Sequence, residues 1–220
     1  MSRSVRVDVY FDFICPWCLI GKHQLEQALS LFHAIHPQVA VDVIWQGAQL
    51  LPHLPAEGKP FKEFYLNRLG SVEAMRMRQA QVQQAAAAVG LNIDLMLIDN
   101  MPNTADAHRL LERAALLGSQ EQYDRLLNRL FAAYFHLGED LGCRATLLHI
   151  AESCGFNRVA IADCLQGDGT PYVGFAMAAN SVPCFRFGQG LTIAGAQPAE
   201  VLFEALSEAL RQSDFEHQPS

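Results

Sequence analysis

The sequence predicts an α/β protein in which a small β-α-β … β-β-α domain is interrupted by a long, all-helical insertion. Three observations lead to this prediction. Both ends of the chain carry the alternating apolar residues of strands, and helical periodicity fills the middle. A close cysteine pair, Cys15 and Cys18, directly follows the first strand. The length of 220 residues suits one large domain or a domain that carries an insertion.

The first 46 residues are predicted to form a strand, a helix and a second strand. Apolar side chains alternate along residues 5–13 and again along residues 39–45, which is typical of half-buried strands. Between them, apolar residues recur at helical spacing from Leu19 to Phe32, and His36-Pro37 ends the pattern. A right-handed crossover makes the two strands parallel.

The middle of the chain is predicted to be helical. Six segments have helical periodicity: 61–69, 72–89, 104–117, 120–137, 144–153 and 158–165. Ser119 and Gln122 fit a capping box, and Asn157 and Thr104 suit N-caps. Thr170-Pro171 is predicted to start one more helix, because proline is favoured at the first helical position.

Strand character returns after Asn180. Residues 183–187 and 191–194 flank Gly188-Gln-Gly190, which predicts a hairpin, and Pro198 opens a final helix. We therefore expect residues 1–60 and 181–213 to form the two parts of the α/β domain. The helical insertion would span residues 61–180, and residues 214–220 would be a polar tail.

Composition and charge disfavour several classes of function. The formal net charge is −7 and no cluster of Lys and Arg occurs, so neither nucleic acid nor an anionic membrane surface is an expected partner. No window of about 18 uncharged apolar residues suits a membrane span. The first ten residues lack the apolar core of a signal peptide. We therefore expect a cytoplasmic protein whose six cysteines are kept reduced rather than forming a disulfide framework.

The Cys15-Pro16-Trp17-Cys18 motif is the strongest chemical signal. Because it stands where a strand ends and a helix begins, the free N–H groups and the macrodipole of the helix would stabilise a thiolate at Cys15. Cys18 lies one turn further on and is close enough to form a disulfide. No second pair stands at zinc-ligand spacing, so a metal site is not expected. The alternative of two buried structural cysteines is much less favoured than a redox pair.

Four segments in sequence order resemble a known family: Phe11-Asp-Phe-Ile-Cys-Pro-Trp-Cys-Leu-Ile-Gly-Lys22, Asn103-Thr-Ala-Asp-Ala-His-Arg-Leu110, residues 131–142, and Val182-Pro183 with Gly195-Ala-Gln-Pro198. Together they resemble the cytosolic FrnE-like branch of the DsbA thioredoxin-fold family, over nearly the whole chain. The resemblance implies a thioredoxin fold interrupted by a helical domain, and a thiol–disulfide oxidoreductase.

The resemblance also implies roles for individual residues. Cys15 would be the nucleophile and Cys18 the resolving thiol, with Pro16 and Trp17 supporting the pair. Val182-Pro183 would be a cis peptide facing the cysteines, and the Val182 backbone would pair with the substrate.

Three further residues are candidate supporting or substrate-binding residues: His108, Arg109 and Gln197. For His108 and Arg109, packing within their own helix is the favoured interpretation. Substrates would be proteins or small molecules that carry a thiol or disulfide. No resident cofactor is expected, and glutathione is a candidate co-substrate.

A second hypothesis is a glutathione-dependent isomerase or transferase. The same superfamily includes 2-hydroxychromene-2-carboxylate isomerases and kappa-class glutathione transferases, which typically carry serine where this chain has Cys15. Their Ser-Asp glutathione contact is replaced here by Ala196-Gln197, which weakens the case. A third hypothesis is a chaperone or interaction module. Cys143, Cys154, Cys164 and Cys184 are expected to be reduced core or surface thiols, and the oligomeric state is not predicted.

Overall fold

The computed structural model describes residues 4–174 and 181–216. In chain order its elements are β1 (Ser4–Phe11), α1 (Pro16–Ile35), β2 (Ala40–Gly47), β3 (Lys59–Pro60), α2 (Phe61–Leu69), α3 (Val72–Ala87), β4 (Asn100–Met101), α4 (Ala105–Leu117), α5 (Gln120–Leu137), α6 (Arg144–Ser153), α7 (Arg158–Ala162), β5 (Cys184–Phe187), β6 (Leu191–Ala194) and α8 (Ala199–Glu216). They form two compact units, one of residues 1–48 and 174–220 and the other of residues 49–173.

The first unit contains a four-stranded sheet in the order β2-β1-β5-β6. β1 is parallel to β2 and antiparallel to β5, and β5 and β6 form the predicted hairpin around Gly188-Gln-Gly190. Gly188 takes a positive φ of 55°, which glycine adopts without strain. The α/β prediction and the β-α-β … β-β-α order are therefore confirmed.

The core of the first unit lies on one face of this sheet, against α1 and α8. The alternation predicted for β1 holds, since every second residue of the strand enters the core. The fully buried residues of this core include Val7, Phe32, Phe185, Phe187, Leu202 and Leu206. This packing fixes the start of α1 against the end of β1, which is where the cysteine motif stands.

A charged network occupies the other face of the sheet. Asp8 is buried, and its carboxylate accepts hydrogen bonds from Arg6, Arg186 and Gln46. Burial alone would raise the pKa of Asp8, but the hydrogen bonds from Arg6, Arg186 and Gln46 outweigh burial and hold it below the ordinary 3.8. The network thus neutralises a charge that would otherwise be costly to bury.

The second unit contains α2–α7 and the short β3–β4 ladder, which the sequence did not predict. The capping box of Ser119 and Gln122 is confirmed, and the Asn157 side chain caps α7. Thr104 stands at the N-cap of α4 but makes no capping hydrogen bond with its side chain.

The boundaries between the units differ from those expected. The division falls after residue 48 rather than 60, because the segment from residue 49 is tied into the second unit. Hydrogen bonds of buried Asn103 hold this segment. Its side-chain oxygen accepts a hydrogen bond from the Gln49 amide, and its own amide donates to the carbonyls of Leu54 and Gly169. The second division falls after residue 173 rather than 180.

The predictions for residues 170–174 and for the start of the C-terminal tail are wrong. Residues 170–174 are not helical, since Arg109 binds the carbonyls of Thr170 and Pro171 and holds them in a loop. The rest of the helix predicted there lies outside the described residues. The expected tail begins too early, because α8 continues to Glu216.

Candidate active site

The end of β1 and the start of α1 position the cysteine pair. β1 ends at Phe11, and a tight turn follows in which the N–H of Cys15 donates to the carbonyl of Asp12 at 3.2 Å. Cys15 is the N-cap of α1 and Pro16 occupies the first helical position, where a missing N–H costs nothing. The N–H of Cys18 donates to the carbonyl of Cys15 at 2.9 Å. The motif therefore stands at a helix N-terminus, as predicted.

The two thiols are both free and differ in exposure and ionisation. Cys15 is 6 % exposed and Cys18 is 1 % exposed. Burial, followed by a hydrogen bond to Cys15 and the charge of Cys15, raises the pKa of Cys18 well above its ordinary value. Cys18 is thus the protonated, enclosed member of the pair. The side chains around Cys15 leave only a small part of it open to solvent.

The loop before β5 lies against Cys15. The Val182–Pro183 peptide bond is cis, as predicted. The Cys15 thiol donates to the Val182 carbonyl, with 3.8 Å between sulfur and oxygen. Pro183 is buried and packs on α1, where a Cβ built on Gly21 would lie 3.0 Å from its ring. Four predicted site residues, the two cysteines, Val182 and Pro183, are therefore brought together.

The motif's other two residues, Pro16 and Trp17, are half-buried beside the cysteines in the first turn of α1. Trp17 is uncharged, so it adds no positive charge to the site. Gln197 lies in the same unit, just before α8, and its side chain donates to the Ala194 carbonyl at 3.1 Å. Its hydrogen bonds among the described residues are local, which gives Gln197 a role in shaping the β6–α8 turn.

The side chain of Gln24 on α1 caps the start of α8. The N–H of Ala199, the first helical residue of α8, donates to the side-chain oxygen of Gln24 on α1 at 2.8 Å. A free N–H at this terminus would suit an anionic group of a ligand. Gln24 occupies it, which weakens the expectation of a glutathione contact here.

His108 and Arg109 belong to the second unit, and their contacts there are structural. His108 is buried and stacks on Tyr172, with ring centroids 5.0 Å apart. Arg109 pairs with Asp106 at 2.7 Å in addition to its bonds to the loop at Thr170 and Pro171. These contacts give His108 and Arg109 structural roles within the second unit, which is the interpretation that the sequence favoured.

The remaining cysteines differ widely in exposure. Cys184 is buried, pairs with Tyr10 across β1 and β5, and has its pKa raised by burial. Burial also raises the pKa of Cys154, and it raises that of Cys164 to about 11. Cys143 is exposed at the N-cap of α6, where hydrogen bonds from the side chain and backbone of Thr146 lower its pKa.

The sequence interpretation missed a buried acid beside the pair. Asp12 is completely buried and lies in the turn between β1 and Cys15. Alternation along residues 5–13 assigned it to the polar face of a longer strand, but β1 ends at Phe11. The signal that identifies it is an acid three residues before the first cysteine of the motif, in an otherwise apolar segment.

Neither a membrane-spanning helix nor a metal-binding cluster occurs in the part of the chain that the structure describes. No helix within residues 4–174 and 181–216 is long and apolar enough to cross a membrane. Within the same ranges, no three His, Cys, Asp or Glu side chains are grouped so as to bind a metal ion.

Comparisons with known proteins agree with this geometry. The family of DSBA-like thioredoxin domains matches residues 6–170. A probable DsbA oxidoreductase from Streptomyces coelicolor is 25 % identical with a TM-score of 0.75, over 98 % of this chain and 92 % of its own. A 2-hydroxychromene-2-carboxylate isomerase is 15 % identical with a TM-score of 0.59, over 97 % of this chain and 100 % of its own. The cytosolic disulfide reductase DsbM from Pseudomonas aeruginosa is 15 % identical with a TM-score of 0.51, over 96 % of this chain and 98 % of its own. The last two likenesses concern the fold alone.

Proposed function

This chain belongs to the family of DSBA-like thioredoxin domains, and on that premise we propose that it is a thiol–disulfide oxidoreductase acting through Cys15 and Cys18. One observation carries the proposal: two free thiols stand in the first turn of α1, and the sulfur of the more exposed one lies 3.8 Å from the Val182 carbonyl oxygen. A nucleophilic thiol, a resolving thiol and a backbone acceptor for the substrate thus stand in one place.

The reaction follows from these positions. In the reducing direction, the Cys15 thiolate attacks a substrate disulfide and releases one substrate sulfur as a thiolate, which leaves a mixed disulfide on Cys15. Cys18 then attacks the sulfur of Cys15. The Cys15–Cys18 disulfide forms and the second substrate sulfur leaves. Two electrons pass from the protein dithiol to the substrate, and the oxidising direction is the reverse.

The start of α1 supports the first step. Cys15 is the N-cap of this helix of 20 residues, so the partial positive charge of the helix terminus favours a negative sulfur there. The Val182 carbonyl accepts a hydrogen bond from the Cys15 thiol only while the S–H is present. Once Cys15 is in a mixed disulfide, this carbonyl is available to an N–H of the substrate backbone.

The test is disulfide reduction with single-cysteine variants. The wild-type chain is expected to reduce insulin with dithiothreitol as electron donor. Cys15→Ser should abolish turnover, whereas Cys18→Ser should accumulate a mixed disulfide visible by mass spectrometry under non-reducing conditions. Cys184→Ser is the matched control, since Cys184 is buried in the same unit and should leave turnover unchanged. Equal activity in Cys15→Ser would overturn the proposal.

Substrates, partners and location are part of the same proposal. We expect protein or small-molecule thiols and disulfides as substrates, glutathione as a candidate co-substrate and no resident cofactor. A cytoplasmic location is supported only by the fold of DsbM, which is described as cytosolic. Fractionation of cells that produce the tagged protein tests the location.

The second candidate function is a glutathione-dependent isomerase of the 2-hydroxychromene-2-carboxylate type. The likeness in fold to that isomerase favours it. Cys15 and the occupied start of α8 count against it, because Gln24 takes the N–H that an anionic group would bind. A Cys15→Ser variant that isomerises 2-hydroxychromene-2-carboxylate with glutathione would support this alternative.

A further inference from the structure

Lys22 is a buried cation in the helix that begins at the cysteine pair. Its side chain is 8 % exposed, and within residues 4–174 and 181–216 it is the one lysine or arginine that is buried. Lysine is almost never buried unless its charge is paired. The steps described above for the two thiols do not use this charge.

Lys22 lies on the same face of α1 as both cysteines. It follows Cys18 by four residues and Cys15 by seven, and residues at these spacings stand above one another on a helix. At a rise of about 1.5 Å per residue, Lys22 lies about 6 Å along the axis from Cys18 and about 10 Å from Cys15. A charge acts on a sulfur over such a distance when little water lies between them.

Glu26 holds the ammonium group of Lys22. The Lys22 Nζ and Glu26 Oε1 atoms lie 2.5 Å apart, and the imidazole of His23 lies 4.0 Å from the other carboxylate oxygen. The two charges of the pair do not cancel at the cysteines. Glu26 stands one turn further away and is 51 % exposed, so water screens its charge, whereas the charge of buried Lys22 is screened much less. The net effect of the pair on the sulfurs is therefore that of a positive charge.

The start of α1 lacks the acidic residues that are common at a helix N-terminus. Asp and Glu are favoured in the first turn because they offset the positive end of the macrodipole. The first turn of α1 contains neither, and the second turn contains Lys22 instead. The local preference for helix stability is thus reversed beside the cysteines, as happens at functional sites. Both features leave a positive potential at the end of the helix where the two thiols stand.

We propose that the buried charge of Lys22 stabilises the thiolate form of the Cys15–Cys18 pair and thereby raises its reduction potential. This inference rests on the proposed function. Lys22 does not touch the substrate in this account. It is a positioning residue that acts through the sulfurs, and Glu26 keeps its ammonium group in place.

The charge of Lys22 acts on the reduced state alone. In a glutathione buffer, the protein disulfide takes two electrons from two glutathione thiols, and the products are the protein dithiol and glutathione disulfide. Two protons leave the glutathione thiols. Both pass to the protein thiols, or one passes to solvent where Cys15 stays a thiolate. The protein disulfide is uncharged and gains nothing from Lys22, whereas a thiolate is stabilised by it. The equilibrium therefore shifts toward the reduced protein, which means a higher potential.

The test is the equilibrium constant for reduction of the pair by glutathione at about pH 7. Acid quenching, alkylation and mass spectrometry give the fraction of Cys15–Cys18 disulfide at each ratio of glutathione to its disulfide. Lys22→Met should lower the constant roughly three- to tenfold, the size expected for one charge about 10 Å away in a partly screened interior. Methionine nearly keeps the length of the side chain and loses its charge. Lys22→Arg, which keeps the charge, should stay near the wild-type value.

Glu26→Gln should raise the constant, by about two- to threefold, because the charge of Lys22 is then no longer opposed. Opposite signs in Lys22→Met and Glu26→Gln distinguish an effect of charge from an effect of packing, which would not follow the sign of the charge removed. Arg125→Gln is the matched control. It removes one positive charge from an exposed pair with Glu121 at the same spacing of four residues, and it should leave the constant unchanged.

Folding of each variant is checked by circular dichroism, and Glu26→Gln, at an exposed position, tests the inference even where Lys22→Met does not fold. An unchanged or raised constant in folded Lys22→Met would overturn this inference alone, as would an unchanged or lowered constant in Glu26→Gln. Failure of the wild-type chain to form a Cys15–Cys18 disulfide in any glutathione buffer would overturn the proposed function, and the inference with it.

Discussion

The Cys15 sulfur and the Val182 carbonyl oxygen lie 3.8 Å apart although 167 residues separate them in the chain. The contact is made because β5 pairs with β1, so that the loop before β5 meets the turn after β1. A substitution that moves this loop therefore changes the surroundings of the Cys15 sulfur without altering a cysteine.

Gly21→Ala tests this relationship. In an exposed helix the change would stabilise by about 1 kcal/mol. Here the added Cβ would lie 3.0 Å from the rings of both Pro183 and Phe185. We expect a loss of roughly 1–3 kcal/mol in the free energy of unfolding, as in other overpacked sites, and slower exchange at Cys15. Urea unfolding and single-turnover kinetics measure the two effects. Gly190→Ala, where a Cβ meets open space, should be near neutral. Stability equal to that of Gly190→Ala would contradict the close packing.

The order of thiol labelling is a second prediction. Exposed Cys143 has a lowered pKa and should react early, so labelling is done in a Cys143→Ala variant. Substoichiometric iodoacetamide at neutral pH is then expected to label Cys15 before Cys18, because Cys18 is more enclosed and its pKa is raised. Fragment-ion mass spectrometry distinguishes the two sites. Earlier labelling of Cys18, Cys154 or Cys184 would contradict the assigned roles.

The reduction potential of the Cys15–Cys18 pair is expected between about −270 mV and about −120 mV, the values of thioredoxin and DsbA. The start of α1 favours a thiolate and so the reduced form, which raises the potential. Trp17 is uncharged and adds nothing to this effect. Equilibration with glutathione buffers, followed by Trp17 fluorescence in a Trp45→Phe variant, gives the value. A potential at or above about −120 mV would contradict this expectation and would require a further positive group near Cys15.

Asp8 predicts a pH dependence of stability. Because its pKa in the folded chain lies below the ordinary 3.8, its contribution is complete above that pH and is lost as the pH falls through the folded value. Asp8→Asn should cost about 2 kcal/mol near pH 7, the worth of hydrogen bonds to a charged group. The cost should shrink toward pH 3. Urea unfolding across this range measures it. Exposed Asp42→Asn is the control, and a cost that grows on acidification would refute the assignment.

Much of the fold was predictable because its signals are local. Alternation placed β1 and β2, helical periodicity placed α4 and α5, and hydrogen bonds between near neighbours fixed the capping box of Ser119 and Gln122. The Cys15–Cys18 motif was equally local, since its meaning depends on the strand before it and the helix that it starts.

The unit boundary at residue 48 was not predictable in this way. Residues 49–58 have no periodicity, so nothing in that stretch tells which unit holds it. The hydrogen bonds of Asn103 to Gln49 and Leu54 place this segment in the second unit, and they join positions about fifty residues apart. The loop at residues 170–174 was decided in the same way by Arg109.

The sequence alone therefore determined the class of fold, the order of its elements and the candidate cysteine pair, because each depends on neighbours within one turn or one strand. Only the tertiary structure brought Val182 to Cys15 and enclosed Asp12 in the turn before Cys15. The reason is physical: burial and contact between distant segments arise when the sheet and helices pack, and they set how a side chain ionises.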